Sequence, residues 1–451
     1  MISLKGKKVT VMGLKRSGLS AVHLLLKEGA SVVGCDTDPS LRLEAQAFDN
    51  LPVKFKLGKH DETDFFSSDM IVISPGISAA HPILASAKMR EIPVIGELEL
   101  GSSFLDPQKT YAITGTNGKS TTTELLGEMF GESGKRTFVG GNLGIPVCEA
   151  VLNQPTAGWE AVVLEVSSFQ LETIVSFRPK MAAVLNITPD HAERYAGIQD
   201  YARTKFEVFL NQGPDDFAFL NWDDPLIREF PNKIKSKIIW FSVSEPLSDG
   251  MSLEKGNLVY REGTGKFTIG DFESANLKGS HNVENMMVAC GMAYRAGLSP
   301  DILQKVLNRF KGLKHRMEKV RVLKGVTYIN DSKATNVGAV LRSLENIDPP
   351  IVLIAGGKEK GGGFSSLYSR VREKVKVLIL IGEAKPRLKD DLKGAAPIVE
   401  VSTLEEAVQS ASKASQIGDT VLLSPACSSY DMFKDYADRG ERFKKAVEEL
   451  S

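Results

Sequence analysis

Short apolar runs recur along the chain, each closed by glycine, proline or a polar residue. VTVMG at 9–13, MIVISPG at 70–76, AVVLEV at 161–166 and AAVLNI at 182–187 are of this kind, as are IVLIAGG at 351–357, VLILIG at 377–382 and TVLLSPA at 420–426. Their lack of polar alternation predicts strands buried on both faces, the mark of a parallel sheet. Helix-like stretches lie between them, so the expected class is α/β, with functional loops at the carboxyl ends of the strands. The stretch 242–274 differs: polar and rich in turn residues, it predicts antiparallel hairpins. Three blocks follow from the pattern: 1–97, 98–312 and 313–451.

Composition narrows the function classes. A chain of 451 residues is too long for one ordinary core. Its 56 basic residues balance 56 acidic ones, which gives no support to nucleic acid as the main partner. Cys35, Cys148, Cys290 and Cys427 stand far apart, a spacing of single thiols in a reducing compartment rather than of a zinc or disulfide framework. The N-terminus lacks the apolar core of a signal peptide, and no run reaches membrane-spanning length. A cytoplasmic protein without a membrane partner is expected.

The strongest motif is YAITGTNGKSTTTELLGEMF at 111–130. An expected strand runs into Gly115-Thr116-Asn117-Gly118-Lys119-Ser120-Thr121, and an expected helix follows. Glycines let backbone N–H groups curl around phosphates, and a helix N-terminus adds its dipole. Lys119 can reach terminal phosphates, and Ser120 or Thr121 can offer a hydroxyl to Mg²⁺. Only two residues separate Gly115 from Gly118, so the loop is shorter than the usual phosphate-loop pattern. Glu165 ends an apolar run, where a metal-supporting carboxylate belongs. Asp190 and His191 follow another such run and point to a metal or substrate contact. Lys205 in YARTKFEVF lies on an amphipathic helix, where spacing alone makes it a surface lysine.

The first block opens as a strand, then Gly13-Leu-Lys-Arg-Ser-Gly18, a helix, and a second strand ending at Asp36. This is a Rossmann-type opening, but Lys15 takes the place of the middle glycine that lets a pyrophosphate approach the backbone. A dehydrogenase is therefore disfavoured. In the third block, Asp331 and Lys333 follow a short run, where they suit ribose and phosphate contacts. Asp331 or Ser332 would equally serve as a helix N-cap. GGKEKGGGF at 356–364 forms a glycine loop carrying Lys358 and Lys360, and SPACSSYDMFKDYADRGERF at 424–443 sets hydroxyls beyond the last strand.

Taken together, GTNGKST, LEVSSFQLE, NITPDHAERY with the following Lys205, HNVENMMVA and LKHRMEKV resemble segments of the Mur ligase family over essentially the whole chain. NDSKATNVG at 330–338 and SPACSSYDMFKDYADRG at 424–440 resemble its D-glutamate-adding members. The resemblance implies a Rossmann-like domain for a UDP-carried substrate, and a central P-loop ATPase domain with a mainly parallel sheet plus a small antiparallel sheet. A Rossmann-like C-terminal domain would receive the amino acid. It implies an ATP-dependent amide ligase that joins D-glutamate to UDP-N-acetylmuramoyl-L-alanine through an acyl phosphate, acting as a monomer in cytoplasmic peptidoglycan precursor synthesis.

Matching residue by residue, the resemblance assigns Ser17, Asp36, Thr37, Ser74, Gly76 and Asn142 to the UDP-carried substrate. Lys119, Ser120 and Glu165 fall to the ATP phosphates and a first Mg²⁺, and His191 to a second Mg²⁺ and the substrate. Lys205 matches a lysine that the family carbamylates, which makes it an anion able to serve the metal site. Asn282, Asn285, Arg316 and Asp331 match positions around adenine, ribose and phosphates. Lys333 and Thr335 match contacts to phosphate and D-glutamate, and Lys360, Ser429 and Tyr436 match D-glutamate positions. Tyr436 stands where the family pattern has Phe, and the loop bearing Lys360 is looser than the pattern. With Lys119, His191, Lys205 and Lys333 as the catalytic set, the rivals are another ligase of the superfamily, a P-loop kinase or ATPase without ligation, and a non-catalytic nucleotide-binding regulator.

Overall fold

The computed structural model describes residues 3–41, 53–142, 144–191, 194–277, 279–359 and 363–450. The chain divides into two compact units. One comprises Met1–Ile187, Gln199–Asn276 and Asn282–Phe310; the other comprises Thr188–Ile198, Leu277–His281 and Lys311–Ser451.

The first unit holds two sheets. Strands β1 (Lys8–Met12), β2 (Ser31–Asp36), β3 (Val53–Leu57), β4 (Met70–Ile73) and β5 (Val94–Gly96) form an all-parallel sheet in the order β3-β2-β1-β4-β5. The order reverses between β1 and β4, the switch point at which open sheets of this kind bind ligands. The second sheet has nine strands: β6 (Thr110–Thr114), β7 (Thr137–Gly141), β8 (Ala161–Glu165), β9 (Met181–Val184), β10 (Phe217–Asn221), β11 (Lys237–Ser242), β12 (Gly250–Glu254), β13 (Asn257–Glu262) and β14 (Gly265–Asp271). Their order is β14-β13-β12-β11-β10-β9-β6-β8-β7. Pairing is parallel from β7 through to β12 and antiparallel for β12-β13-β14. The hairpins expected at 242–274 thus form, and a two-residue parallel contact of β12 with β11 adds them to the edge of the large sheet.

One helix of this unit buries two acidic side chains. The helix Glu97–Ser102 turns Glu97 and Glu99 inward, each about 1 % exposed. The Glu99 carboxylate accepts the N–H groups of Val175, Ser176 and Phe177 at 2.8–3.0 Å, which satisfies its charge with backbone donors. Glu97 Oε1 accepts the Cys148 N–H at 2.6 Å, while among the described residues its Oε2 has no hydrogen-bond partner. Burial pushes the Glu97 carboxyl up to about 7.

The second unit has one six-stranded sheet: β15 (Glu318–Leu323), β16 (Val326–Asn330), β17 (Ile351–Gly356), β18 (Val375–Ile381), β19 (Ile398–Glu400) and β20 (Thr420–Leu423), ordered β15-β16-β20-β17-β18-β19. Only the β15-β16 pair is antiparallel. The unbroken apolar run in β17 has a direct cause. Ile351, Leu353 and Ala355 enter the core on one face of the sheet, while Val352 and Ile354 enter the core on the other. Among the described residues all four cysteines are buried and none forms a disulfide, and no helix is long and apolar enough to cross a membrane.

Candidate functional site

At the end of β6 the chain turns through residues 115–118 into the helix Lys119–Glu132. Gly115 and Gly118 adopt φ values of +142° and +87°, which side-chain-bearing residues avoid. A Cβ on Gly118 would also fall 2.2 Å from Asn285 Oδ1, so both backbone angle and space demand glycine there. Asn285 in turn accepts the Thr122 hydroxyl at 3.3 Å and donates to Asn282 at 3.2 Å. Of the two asparagines assigned from the sequence, Asn285 therefore sits against the phosphate loop and Asn282 lies behind it.

Lys119 curls back over the loop, its Nζ donating to the carbonyls of Gly115 at 2.8 Å and Thr116 at 2.9 Å. Lys205 is about 1 % exposed, and its Nζ donates to the same Gly115 carbonyl at 2.9 Å, 4.4 Å from the Tyr201 ring centroid. The plain spacing reading of Lys205 as a surface lysine is overturned: the helix Ile198–Phe206 turns it inward onto the loop. Ser120 Oγ donates to Glu165 Oε2 at 2.5 Å, and Asn142 Nδ2 donates to Glu165 Oε1 at 2.7 Å. Asn142 thus stands beside the carboxylate at the end of β8.

At the switch point of the first sheet, Ser74 Oγ donates to the Gly13 carbonyl at 2.7 Å, tying the ends of β4 and β1. Asp36 accepts the N–H of Leu14 at 2.7 Å and that of Asp38 at 2.9 Å, so this acid shapes the loop after β1. Ser17 lies in the first turn of the helix Arg16–Lys27, and Thr37 and Gly76 are exposed at the same carboxyl edge.

The second unit gathers another set. A cavity of about 460 Å³ is lined by Asp190, His191, Thr335, Asn336, Arg342 and Phe364, among others. Asn336 Nδ2 donates to Asp190 Oδ2 at 2.8 Å, and Asn336 Oδ1 caps the helix Val337–Glu345 by accepting the Ala339 N–H. The alternative of Asp331 or Ser332 as that cap is therefore excluded. Asp331 instead lies 3 % exposed and accepts the hydroxyls of Ser343 at 2.5 Å and Ser424 at 2.9 Å and the Met317 N–H at 3.2 Å. Burial raises its pKa above the ordinary carboxylate value.

Arg316 sits between His315 and Met317, both non-glycine residues with positive φ (+63° and +48°). Such backbone persists where neighbours over-determine it. Here the Lys333 N–H donates to the His315 carbonyl, and the Met317 N–H to Asp331. Burial holds the His315 pKa below its ordinary value. The Lys333 ammonium lies 5.4 Å from the Tyr436 ring centroid, and Ser429 is buried at 2 %. Lys360 falls outside the described residues.

Family models match three stretches of the chain: the Mur ligase MurD-like N-terminal domain at 7–96, the Mur ligase middle domain at 113–293, and the Mur ligase glutamate ligase domain at 315–427. The UDP-N-acetylmuramoylalanine–D-glutamate ligase of Geotalea daltonii is 46 % identical over 454 residues, covering 100 % of this chain and 99 % of that one. The chain belongs to the Mur ligase family.

The ligase of the same name from Trichlorobacter lovleyi is 43 % identical, with all of both chains covered. Among solved structures, a MurF ligase from Thermotoga maritima in complex with ADP matches with a TM-score of 0.61 at 18 % identity over 99 % of this chain and 96 % of that one. The UDP-N-acetylmuramate-alanine ligase MurC of the same organism matches at 0.59 and 18 %, over 98 % and 99 %. At such identities these structures establish the three-sheet Mur ligase fold.

Two residues of this Mur ligase escaped sequence reasoning. Asn186 binds the phosphate loop through its side chain. Arg439, wholly buried, donates to Ser332 Oγ and to the carbonyls of Ser332, Cys427 and Ser428 at 2.8–3.3 Å. It bolts the loop after β16 to the loop after β20, and burial lowers its pKa to about 10. Both residues sit inside motifs, but neither type at its position carries a local signature.

Among the described residues no group of three or more His, Cys, Asp or Glu side chains could hold a metal ion. The Ser120–Glu165 pair fits Mg²⁺ in another way. A hydroxyl and a carboxylate, both hard oxygen donors at a phosphate loop, are what a Mg²⁺ shared with substrate phosphates requires.

Proposed function

We propose that this Mur ligase uses ATP to join D-glutamate to UDP-N-acetylmuramoyl-L-alanine, in cytoplasmic peptidoglycan precursor synthesis and as a monomer. The observation that carries the reading is full-length identity of 40–46 % to several ligases of that name, together with a phosphate loop that leads into Lys119 and Ser120, with Glu165 of β8 at bonding distance from Ser120. The domains implied are 1–97 for the UDP-carried substrate, 98–312 for ATP and 313–451 for the amino acid.

A carboxylate does not acylate an amine in neutral water, because its oxygen is a poor leaving group. In the proposed reaction a carboxylate oxygen of the L-alanine arm attacks the γ-phosphorus of ATP and ADP departs. The D-glutamate nitrogen then attacks the acyl carbon, loses a proton, and phosphate leaves with the former carboxylate oxygen. The phosphate loop can supply helix N-terminal N–H groups to the polyphosphate, and Lys119 can swing from its carbonyls to the γ-phosphate, which serves transfer by positioning and electrostatics.

Ser120 and Glu165 would hold a first Mg²⁺, with His191 and carbamylated Lys205 serving a second; these ions supply neutralisation of phosphate charge. Lys205, buried against the loop, lies where a carbamylated lysine would bring an anion to a metal beside the phosphates. Gly115 to Thr121, Asn282, Asn285, Arg316 and Asp331 would frame ATP, and Ser17, Asp36, Thr37, Ser74, Gly76, Asn142 and His191 the UDP-carried substrate. Thr335, Lys360, Ser429 and Tyr436 would receive D-glutamate, with Lys333 stabilising charge on the phosphate.

The test is product formation from ATP, Mg²⁺ and UDP-N-acetylmuramoyl-L-alanine with D-glutamate, L-glutamate, L-alanine or a diamino acid. The reading expects phosphate release and a product heavier by one glutamyl unit with D-glutamate alone. Turnover with another amino acid would overturn the substrate, and release indifferent to the acceptor would favour a plain ATPase.

A further inference from the structure

The phosphate loop is gripped by a residue outside it. Asn186 follows β9 and is 4 % exposed. Its Oδ1 accepts the Asn117 N–H at 2.9 Å, its Nδ2 donates to the Asn117 carbonyl at 3.2 Å, and its own carbonyl accepts the Thr116 N–H at 2.8 Å. One side-chain amide thus binds both backbone polar groups of a single loop residue. Only a neutral amide does this, since a carboxylate cannot donate and would add negative charge beside bound polyphosphate.

Asn186 is itself braced. The Leu185 N–H donates to the Thr114 carbonyl at 3.0 Å, Asn221 Nδ2 donates to the Leu185 carbonyl at 2.9 Å, and Asp224 Oδ2 accepts the Ile187 N–H at 2.7 Å. A hydrogen-bonded relay therefore runs from the end of β10, through residues 185–187, to Thr116 and Asn117. This matters because the gripped residues lie between Gly115 and Gly118, which have no Cβ to restrict their backbones. Without a brace, the loop's ordering cost would fall on nucleotide binding.

We propose that Asn186 is a positioning residue for ATP: it holds Thr116 and Asn117 so that the helix N-terminus at Gly118 and Lys119 is preset to receive the phosphates. This rests on the ATP-dependent ligase reading above and adds a residue to its nucleotide site.

The test uses full-length enzyme with Asn186→Leu, which keeps the shape and removes both bonds, and Asn186→Asp, which keeps the acceptor alone. KM values for ATP, carrier and D-glutamate are measured beside ADP affinity by calorimetry. The expected result for the leucine variant is a rise of about tenfold or more in KM for ATP and in Kd for ADP. KM for carrier and D-glutamate should stay within about twofold. Unchanged ATP and ADP values in folded variants would overturn the proposal.

Should the variants fail to fold, hydrogen exchange on the wild-type protein without nucleotide decides. Thr116 and Asn117 amides protected like those of β6 would support the brace, and loop-like exchange would overturn it. The ligase reading fails separately, if the wild-type enzyme forms no glutamylated product while its ADP affinity still depends on Asn186.

Discussion

The phosphate loop and the cavity beside Asp190 are built on opposite plans. The first is continuous in sequence: a strand, four loop residues and a helix carry most of its groups, and each is held by short bonds to its neighbours. The second draws Asp190 and His191 from one segment and Thr335, Asn336 and Phe364 from others. Its surroundings are held by left-handed His315 and Met317 and by one buried arginine. In the proposed reading, the contrast matches two chemical tasks. Binding polyphosphate is a generic problem solved by backbone and one cation, whereas choosing one amino acid requires side chains placed individually.

The contrast can be broken most severely at Lys119. Replacing it with alanine should lower kcat by about a thousandfold or more, since transferred-phosphoryl charge loses its cation. Steady-state assays of product formation check this, and an unchanged kcat would remove the phosphate loop from the chemistry. Next in size is Arg439→Met, which strands the carbonyls of Ser332, Cys427 and Ser428. It should cost on the order of 3 kcal/mol and lower the melting temperature of the second unit by calorimetry.

Thr335→Val probes the cavity without touching the phosphate loop. It should raise KM for D-glutamate about tenfold and leave KM for ATP within twofold, measured by varying each substrate in turn. Equal effects on both substrates would erase the division of labour.

A further effect falls on stability alone, at a residue in neither site. Glu97, lifted to about 7 by burial, favours its protonated form in the folded protein. Its contribution is fully present below its ordinary pKa of about 4.5 and is lost as pH rises to about 7, a loss on the order of 3 kcal/mol. Glu97→Gln should flatten that part of the melting-temperature profile and raise the melting temperature at pH 8. A profile unchanged by the substitution would contradict the assignment.

The sequence exposed what is local. The run at 351–356 announced a strand with a core on each side, and Gly115, Gly118, Lys119 and Ser120 announced a phosphate site because the chemistry needs those types at that spacing. Lys205 was the opposite case. Periodicity made it a surface residue, and only family resemblance pointed to the buried position that the helix Ile198–Phe206 gives it. Asp331 read equally well as a cap, because capping chemistry and a buried hydrogen-bonded carboxylate use the same residue after a strand; Asn336 proved to be the cap. Asn186 and Arg439 act through partners at 117, 332, 427 and 428, and no local pattern announces such pairings. Of the edge hairpin, β16 was legible as the short strand before Asp331, whereas β15 was hidden, since its part-exposed, charged positions leave no apolar run.

The central claim is that ATP cleavage and amide formation share one acyl-phosphate intermediate. It is tested most directly with carrier whose L-alanine carboxylate bears ¹⁸O on both oxygens, turned over with ATP, Mg²⁺ and D-glutamate. The account predicts that each released phosphate carries one ¹⁸O and each new amide retains the other. Unlabelled phosphate accompanying glutamylated product would contradict it.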